Sequence, residues 1–365
     1  MTFPLESIHW HDFLARPQLP APAPESITTL VNHPILITGA GGSIGSALAL
    51  RLAAEEAHLI LLESSENNLY KLQRNFADRL HPLQATFYLG SVTDQFLLNE
   101  IISLHRPRLV FHAAAYKHVP LLEDQPFAAI ANNIFATETL SLAAAANRAR
   151  IVLLSTDKAV NPTSIMGATK RAAEQIILSS NGTVLRLGNV LASDGSVTEV
   201  FARQLATGIP LTVTDPAARR YFLTIEEAVN LLISAAAELP TLLAPDLPAP
   251  HFIADLARFM AHTLAPDHEP SIEFTHLRAG DKETEQLWSA NETPHPTNAS
   301  GLIRLDSPSI PRSQLQSALA TLRNTVKTRD LSASLNALRI LVPDYSPSST
   351  VLRLRSITAT QVTHE

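Results

Sequence analysis

The chain has 365 residues, 45% of them hydrophobic and 17% charged, which suits one large α/β domain with a smaller lobe. Its formal net charge is −6 and its Lys and Arg are dispersed, so no basic face for nucleic acid is expected. It has no cysteine, which excludes disulfides, thiolate metal sites and cysteine nucleophiles.

The opening stretch MTFPLESIHWHDF lacks the basic and then apolar regions of a secretory signal. The most apolar run, LSLAAAANRARIVLLS, is interrupted by Arg148 and Arg150 and falls short of the ~18 residues that cross a bilayer. A soluble cytoplasmic protein without a membrane span is the expectation. The histidines form no HExxH or comparable pair, so no metal is expected; the HWH near the start, His112 and His118 read as surface and core residues.

Residues 1–34 read as an N-terminal strap, extended and proline-rich from residue 16. At Ile35 the regular pattern begins. ILITGAGGSIGSALALRLAAEEAHLILLE gives a strand, a glycine loop, an Ala/Leu helix and a second strand, which is a βαβ unit. Strands ATFYLG, RLVFHAAA, RIVLLST and GTVLRLGNV then alternate with helical DQFLLNEIISLH, PFAAIANNIFATETLSLAAAANR and GATKRAAEQIILSS. That alternation, with no hairpin turns, predicts a doubly wound parallel sheet of Rossmann type over 35–190. A smaller C-terminal lobe of short elements, the substrate-binding part, is expected over 191–305, with parts of 191–270 returning to the sheet. Two amphipathic helices over 306–345 and a loose tail, 346–365, complete the chain.

In TGAGGSIG, Gly39 permits a tight turn, Gly42 lets backbone approach a pyrophosphate, and Gly45 lets the helix pack against the strand, with Ser43 and Ile44 opening that helix. A second strand ends in Glu63, eighteen residues past Gly45, where a carboxylate accepts ribose hydroxyls and repels a 2′-phosphate. NAD is therefore the expected cofactor, unless Glu63 only caps the following helix. Ser64, Ser91, Val92 and the small residues Ala113, Ala114 and Ala115 are expected to line the adenosine end.

The stretch STDKAVNPTSIMGATK follows a buried strand and presents Thr156, Asp157 and Lys158 where a doubly wound sheet carries its site. Met166 and Lys170 lie four residues apart on one helix face, where a dehydrogenase of this fold usually has Tyr and Lys. A thioether has no titratable proton, so acid-base capacity has to come from elsewhere; Asp157 and Lys158 at the strand's carboxyl end are the candidates, against the alternative that they are a surface pair. Lys170 is expected at the nicotinamide ribose.

Six motifs in order, TGAGGSIG, HAAAYKHVPLLEDQP, STDKAVNPTSIMGATK, RLGNVLASDGSV, LTVTDPAARRYFLTIEEAV and LRAGDKE, resemble the nucleoside-diphosphate-sugar 4,6-dehydratases of bacterial capsule and O-antigen synthesis, an extended short-chain dehydrogenase/reductase group. The likeness runs from about Asp12 to Pro347. It implies the Ser/Thr-Met-Lys subgroup, here Thr156, Met166 and Lys170, and a UDP-sugar substrate, UDP-N-acetylglucosamine first among them. It implies that hydride leaves C4 for NAD, water is lost across C5–C6, and hydride returns to C6. By the same resemblance Lys158 is the C5 base and Asp157 the acid for the C6 hydroxyl, while Thr156 bonds the 4-oxygen. Asn189, Arg220 and Arg278 hold the nucleotide diphosphate, Asp281 takes the place of a usual Glu at the ribose, and Lys117 and Asn133 line the sugar end. Ser91 replaces a usual Asp, and LPAPHFI replaces a charged segment. DFLARPQL is similar to the strap that follows the membrane helices of the long members, so the chain reads as the catalytic part alone. Self-association is expected through helices 126–147 and 164–180. A UDP-sugar 4-epimerase and a non-catalytic dinucleotide-binding module are the competing readings.

Overall fold

The computed structural model describes residues 3–79, 85–267 and 271–362. Six strands come first: β1 (Ile35–Thr38), β2 (Leu59–Glu63), β3 (Ala85–Leu89), β4 (Leu109–His112), β5 (Arg150–Thr156) and β6 (Thr183–Leu187). Strands β1, β2, β4 and β6 are buried at every position, as strands covered by helices on both faces must be. Past them lie β7 (Asn189–Val190), β8 (Leu211–Val213), β9 (Arg219–Arg220), β10 (Phe222–Leu223), β11 (Leu242–Pro245), β12 (His251–Phe252), β13 (Ile272–Phe274), β14 (Thr293–Pro296) and β15 (Leu302–Asp306).

The main sheet has nine strands in the order β14-β15-β11-β6-β5-β4-β1-β2-β3. The strands from β3 to β11 run parallel, and the order reverses between β1 and β4, which opens a crevice at their carboxyl ends. The doubly wound α/β expectation holds, with one correction. Strands β15 and β14 add antiparallel, so the return to the sheet extends to Asp306 rather than stopping near 270. Pro294 and Pro296 lie in β14, the outermost strand, where a missing ladder N–H is tolerated.

The strap is extended only to Ala23. Pro24–Val31 is a helix, with proline at the start where its missing N–H has no intrahelical partner to lose. Arg16 grips the buried Glu227 with two bonds (2.6 and 2.9 Å), and the Leu19 amide donates to the same carboxylate (2.9 Å). The strap is thereby tied to helix Ile225–Ala237 on the sheet.

In the lobe, β8 pairs with β13, β9 with β12 and β7 with β10 around Trp10, Phe13, Phe201, Phe222 and Met260. The two C-terminal helices are Arg312–Lys327 and Leu331–Leu341. Their leucines (Leu315, Leu322, Leu335, Leu338) cluster with Ile165, Met166, Ala172 and Ile176 of helix Ile165–Ser179. Every residue from Ile165 to Ile177 is consequently buried within the chain. The second of the two faces expected to meet another copy is thus covered by the chain's own C-terminal helices.

The tail is also not loose through Val362. Ser349–Val362 is a helix, Val351 is fully buried, and Ser348 Oγ donates to Glu123 Oε2. Glu123 Oε1 accepts the Ile165 amide (2.7 Å), so one buried carboxylate joins the tail to the first turn of helix Ile165–Ser179.

Candidate active site

The glycine loop leaves β1 through Gly39, whose φ of +68° is in the left-handed region; a Cβ there would stand 2.7 Å from the Ala114 backbone. The close approach of Gly39 to Ala113 and Ala114 is why that segment carries small residues. At Gly42 a Cβ would meet only the Gly39 oxygen, at 3.5 Å, so the turn is open on that side. Helix Ser43–Ala53 points its first turn at this opening, a favourable place for phosphate. A small cavity beside it is lined by Gly39, Leu62, Ser64, Gly90, Ser91, Val92, Ala114, Asn132 and Ala136. Five of those residues are expected from the sequence. Asn132 is not: it lies in a π-helical segment, Ile130–Phe135, which shifts the helical register and leaves no periodic signal.

Glu63 takes the capping role that the sequence left as its alternative, and it also meets the glycine loop. Oε2 accepts the Gly41 amide (3.0 Å) and Oε1 the Ser65 amide (2.8 Å), so the carboxylate braces the glycine loop while capping the next helix. Ile44 packs on the core, while Ser91 Oγ pairs with Thr93 Oγ1 (2.8 Å). Ser43 Oγ accepts the Asp194 amide (2.9 Å), and Lys117 Nζ donates to the Asp194 carbonyl. The loop at 191–196 is thereby clamped over the start of the glycine helix.

At the carboxyl end of β5, Thr156, Asp157 and Lys158 are brought together as expected. Asp157 is fully buried. Its Oδ1 accepts from Thr156 Oγ1 and from Lys158 Nζ, both at 2.9 Å. Lys158 Nζ also donates to Asn189 Oδ1 (2.9 Å), and its side chain is 22% exposed. Asn189 therefore holds the ammonium, a task the sequence does not reveal. Gly167 lets the helix approach, since a Cβ there would lie 2.2 Å from the Lys158 carbonyl oxygen. Met166 is 4% exposed and packs in the helical cluster. Lys170 donates to the Leu154 carbonyl (2.6 Å), and burial lowers its pKa to about 8 against the opposing pull of Glu174.

A buried ion network supports β5 from behind. Glu174, on the same helix as Lys170, accepts Ser155 Oγ (2.6 Å) and two bonds from Arg186 of β6 (2.9 and 3.0 Å). Arg186 also grips Glu292 with two bonds (2.7 and 2.9 Å), and Arg171 pairs with both carboxylates (2.8 and 3.1 Å).

The loop at 280–285 closes over the turn after Lys158. Thr163 Oγ1 donates to the Gly280 carbonyl (2.9 Å) and Lys282 Nζ to that of Val160 (2.6 Å). Arg220 donates to the Arg219 and Glu283 carbonyls (2.7 and 3.0 Å). Arg278 holds Asp281 (2.9 Å) with its own side chain 60% exposed. One expectation needs correcting. Asn133 is buried, and its amide is fully used within the protein: it accepts from Tyr116 N (2.9 Å) and donates to Tyr116 O and Thr169 Oγ1 (both 3.1 Å). It fixes the segment after β4 and has no capacity left for a sugar.

Behind the cradle, Thr137 Oγ1 donates to the Asn133 carbonyl (2.7 Å), so it accepts from His112 Nε2 (3.0 Å), leaving Nδ1 to accept from Thr38 Oγ1 (2.7 Å). Burial, and then the nearby Lys170, lower the His112 pKa to about 3. The unfolded imidazole takes its proton near pH 6.5, so below that value the unfolded chain binds one more proton than the folded one. Stability is expected to lose ~1.4 kcal/mol per pH unit from this group between pH 6.5 and 3, with no loss above 6.5. Urea unfolding at several pH values checks this. In His112→Gln the slope should shrink by that amount, and an unchanged slope refutes the assignment.

Among the described residues no cluster of His, Asp and Glu suits a metal ion, and no helix is long and apolar enough to cross a membrane. Residues 35–306 match the family model described as polysaccharide biosynthesis protein. The chain is 37% identical over 301 residues to the probable polysaccharide biosynthesis protein EpsC of Bacillus subtilis, covering 79% of this chain and 50% of that protein. It is 37% identical over 308 residues to the capsular polysaccharide biosynthesis protein CapD of Staphylococcus aureus, covering 80% and 51%. The chain thus spans about half the length of these relatives. Among solved structures, Pen from Bacillus thuringiensis superposes with a TM-score of 0.70 at 28% identity, covering 78% of this chain and 92% of that one. The family match takes in both the glycine cradle and the loops around Asp157 and Lys158, and the chain belongs to the polysaccharide biosynthesis protein family.

Proposed function

We propose that the chain is a hydro-lyase that dehydrates a UDP-sugar, UDP-N-acetylglucosamine in the first instance, across C5–C6 for surface-polysaccharide synthesis. The observation that carries this reading is the ion pair of Asp157 and Lys158 at the crevice of the sheet, in a fold whose glycine turn is open at Gly42 beside a cavity lined by small residues. The residues that would hold NAD are Gly39, Gly42, Ser43, Glu63, Val92, Ala114 and Lys170. When bound, NAD supplies the hydride acceptor at C4 and the hydride donor at C6.

The chain's own residues handle the protons. At rest the pair is ammonium and carboxylate, joined at 2.9 Å. Moving one proton from Lys158 Nζ to Asp157 leaves a neutral amine and a carboxylic acid with no change in net charge. A neutral pair costs little in a closed site. Lys158 then takes the C5 proton, the C6–O bond breaks, and Asp157 gives its proton to the departing hydroxyl, which leaves as water. Ammonium and carboxylate are restored. Thr156 Oγ1 bonds the 4-oxygen; the 4-hydroxyl proton passes to water as hydride leaves C4, and a proton from water reaches C5 as hydride arrives at C6.

Incubation with UDP-N-acetylglucosamine in D₂O is expected to give a 4-keto-6-deoxy sugar nucleotide with deuterium at C5, read by NMR. A product that keeps its C6 hydroxyl and inverts at C4 would make the protein an epimerase. Bound NAD with no conversion of any UDP-sugar would leave a binding module.

A further inference from the structure

The catalytic helix has a thioether where a phenol would serve, but a phenol approaches the site from another element. Tyr221 immediately precedes β10, and Phe222 of that strand pairs with Asn189. The Tyr221 carbonyl accepts the Asn189 amide (2.7 Å), while the Asn189 side chain holds Lys158. Strands β5 and β6 end side by side with Thr156 opposite Leu187, so Asp157 and Gly188 leave the sheet as neighbours. A Cβ at Gly188 would stand 2.8 Å from Tyr221 Cβ and 2.5 Å from its carbonyl oxygen. The side chain missing at Gly188 is the room Tyr221 occupies.

Two further observations concern Asp157 itself. Its Oδ1 takes both available donors, whereas its Oδ2 is buried without a hydrogen-bond partner. A buried carboxylate oxygen left unpaired costs ~1–3 kcal/mol, so the site gains by supplying a donor. The Tyr221 hydroxyl lies within electrostatic reach of that carboxylate: burial first, then Asp157, raise its pKa above the ordinary phenol value. It therefore keeps its proton and remains a donor throughout the working range. The charged group that acts on it is Asp157, itself paired with Lys158, while the chain neighbour Arg220 is engaged through Nη1 by the Arg219 and Glu283 carbonyls.

We propose that Tyr221 is a positioning residue of this site, its hydroxyl donating to Asp157 Oδ2 as the loops close on substrate. No bond is made or broken at the phenol. Holding Oδ2 directs the transferable proton through Oδ1 and favours the carboxylate form, which makes protonated Asp157 a stronger acid toward the departing hydroxyl. The inference rests on the dehydratase reading for its effect on rate, and for the contact on the close approach of Tyr221 to Gly188, the unpartnered Asp157 Oδ2 and the pull of Asp157 on the phenol.

The test uses the full chain with NAD. Of the five tyrosines, the one whose tyrosinate absorbance step is lost in Tyr221→Phe is Tyr221, and in Asp157→Asn that step is expected to move to lower pH. With UDP-N-acetylglucosamine, Tyr221→Phe should lower kcat about tenfold, shift the acid limb of the pH profile upward and leave KM within about twofold. Tyr221→Leu should match that kinetic loss and add a loss of stability. A Phe variant with wild-type kcat and acid limb overturns the proposal, as does a loss confined to KM or a phenol step that ignores Asp157→Asn. If the wild type converts no UDP-sugar, the dehydratase reading falls by itself, while the absorbance titration still decides the contact.

Discussion

Replacing Lys158 with alanine is expected to lower dehydration by ~10²–10⁴-fold, the range removed with a general acid or base. Asp157→Asn should fall in the same range, because the amide holds Lys158 in place through Oδ1 but has no proton to deliver. The split between steps is diagnostic. Both variants should still transfer hydride from C4, visible as NADH absorbance that accumulates with substrate present, since the lost function acts after the ketone forms. Met166→Leu, by contrast, should stay within about threefold of wild type, because the thioether is buried among Ile165, Ala172 and Leu319 and the swap conserves volume. Lys158→Ala with full dehydration would move the base elsewhere. A collapse in Met166→Leu would give the sulfur a task that its packing does not suggest.

The largest effect on stability is expected at Arg186. Its guanidinium is fully buried and makes two bonds each to Glu174 and Glu292. Arg186→Met leaves two buried carboxylates facing each other with only Arg171 between them. Removing one partner of a buried pair costs ~3–5 kcal/mol. Urea unfolding with the helical signal should show that loss, and a shift below about 1 kcal/mol would mean that water or rearrangement meets the charge. Glu292 is held down at about 2, chiefly by Arg186 against its own desolvation, and Glu174 is lowered by the same guanidinium. Their contribution is therefore present above the unfolded carboxylate value and is lost as pH falls toward 2.

The first half of the chain is legible because its signals are local. Strand β1, the glycine loop and Glu63 follow one another within thirty residues, and each is set by backbone reach and burial. The Asp157–Lys158 pair is legible for the same reason: it stands directly after the end of an apolar strand. What does not show in the sequence is what depends on distant partners. The polar residues Arg171, Glu174 and Gln175 give helix Ile165–Ser179 the look of a half-solvated helix, yet all three are buried, because Arg186, Glu292, Ser307 and the Pro308 carbonyl reach them from elsewhere. Strand β14 is masked by its prolines and identifiable only once its edge position is known. Asn133 reads as a ligand contact because its amide partners, Tyr116 and Thr169, lie 17 and 36 residues away.

Glu123 has a consequence of a different kind. Its two oxygens hold the Ile165 amide and the Ser348 hydroxyl, so the far end of the chain is moored to the first turn of the helix that carries Lys170. A fluorophore placed on the outward side of Ser349–Val362 would accordingly act as a remote gauge of order in that turn, readable without touching a single residue that meets the sugar.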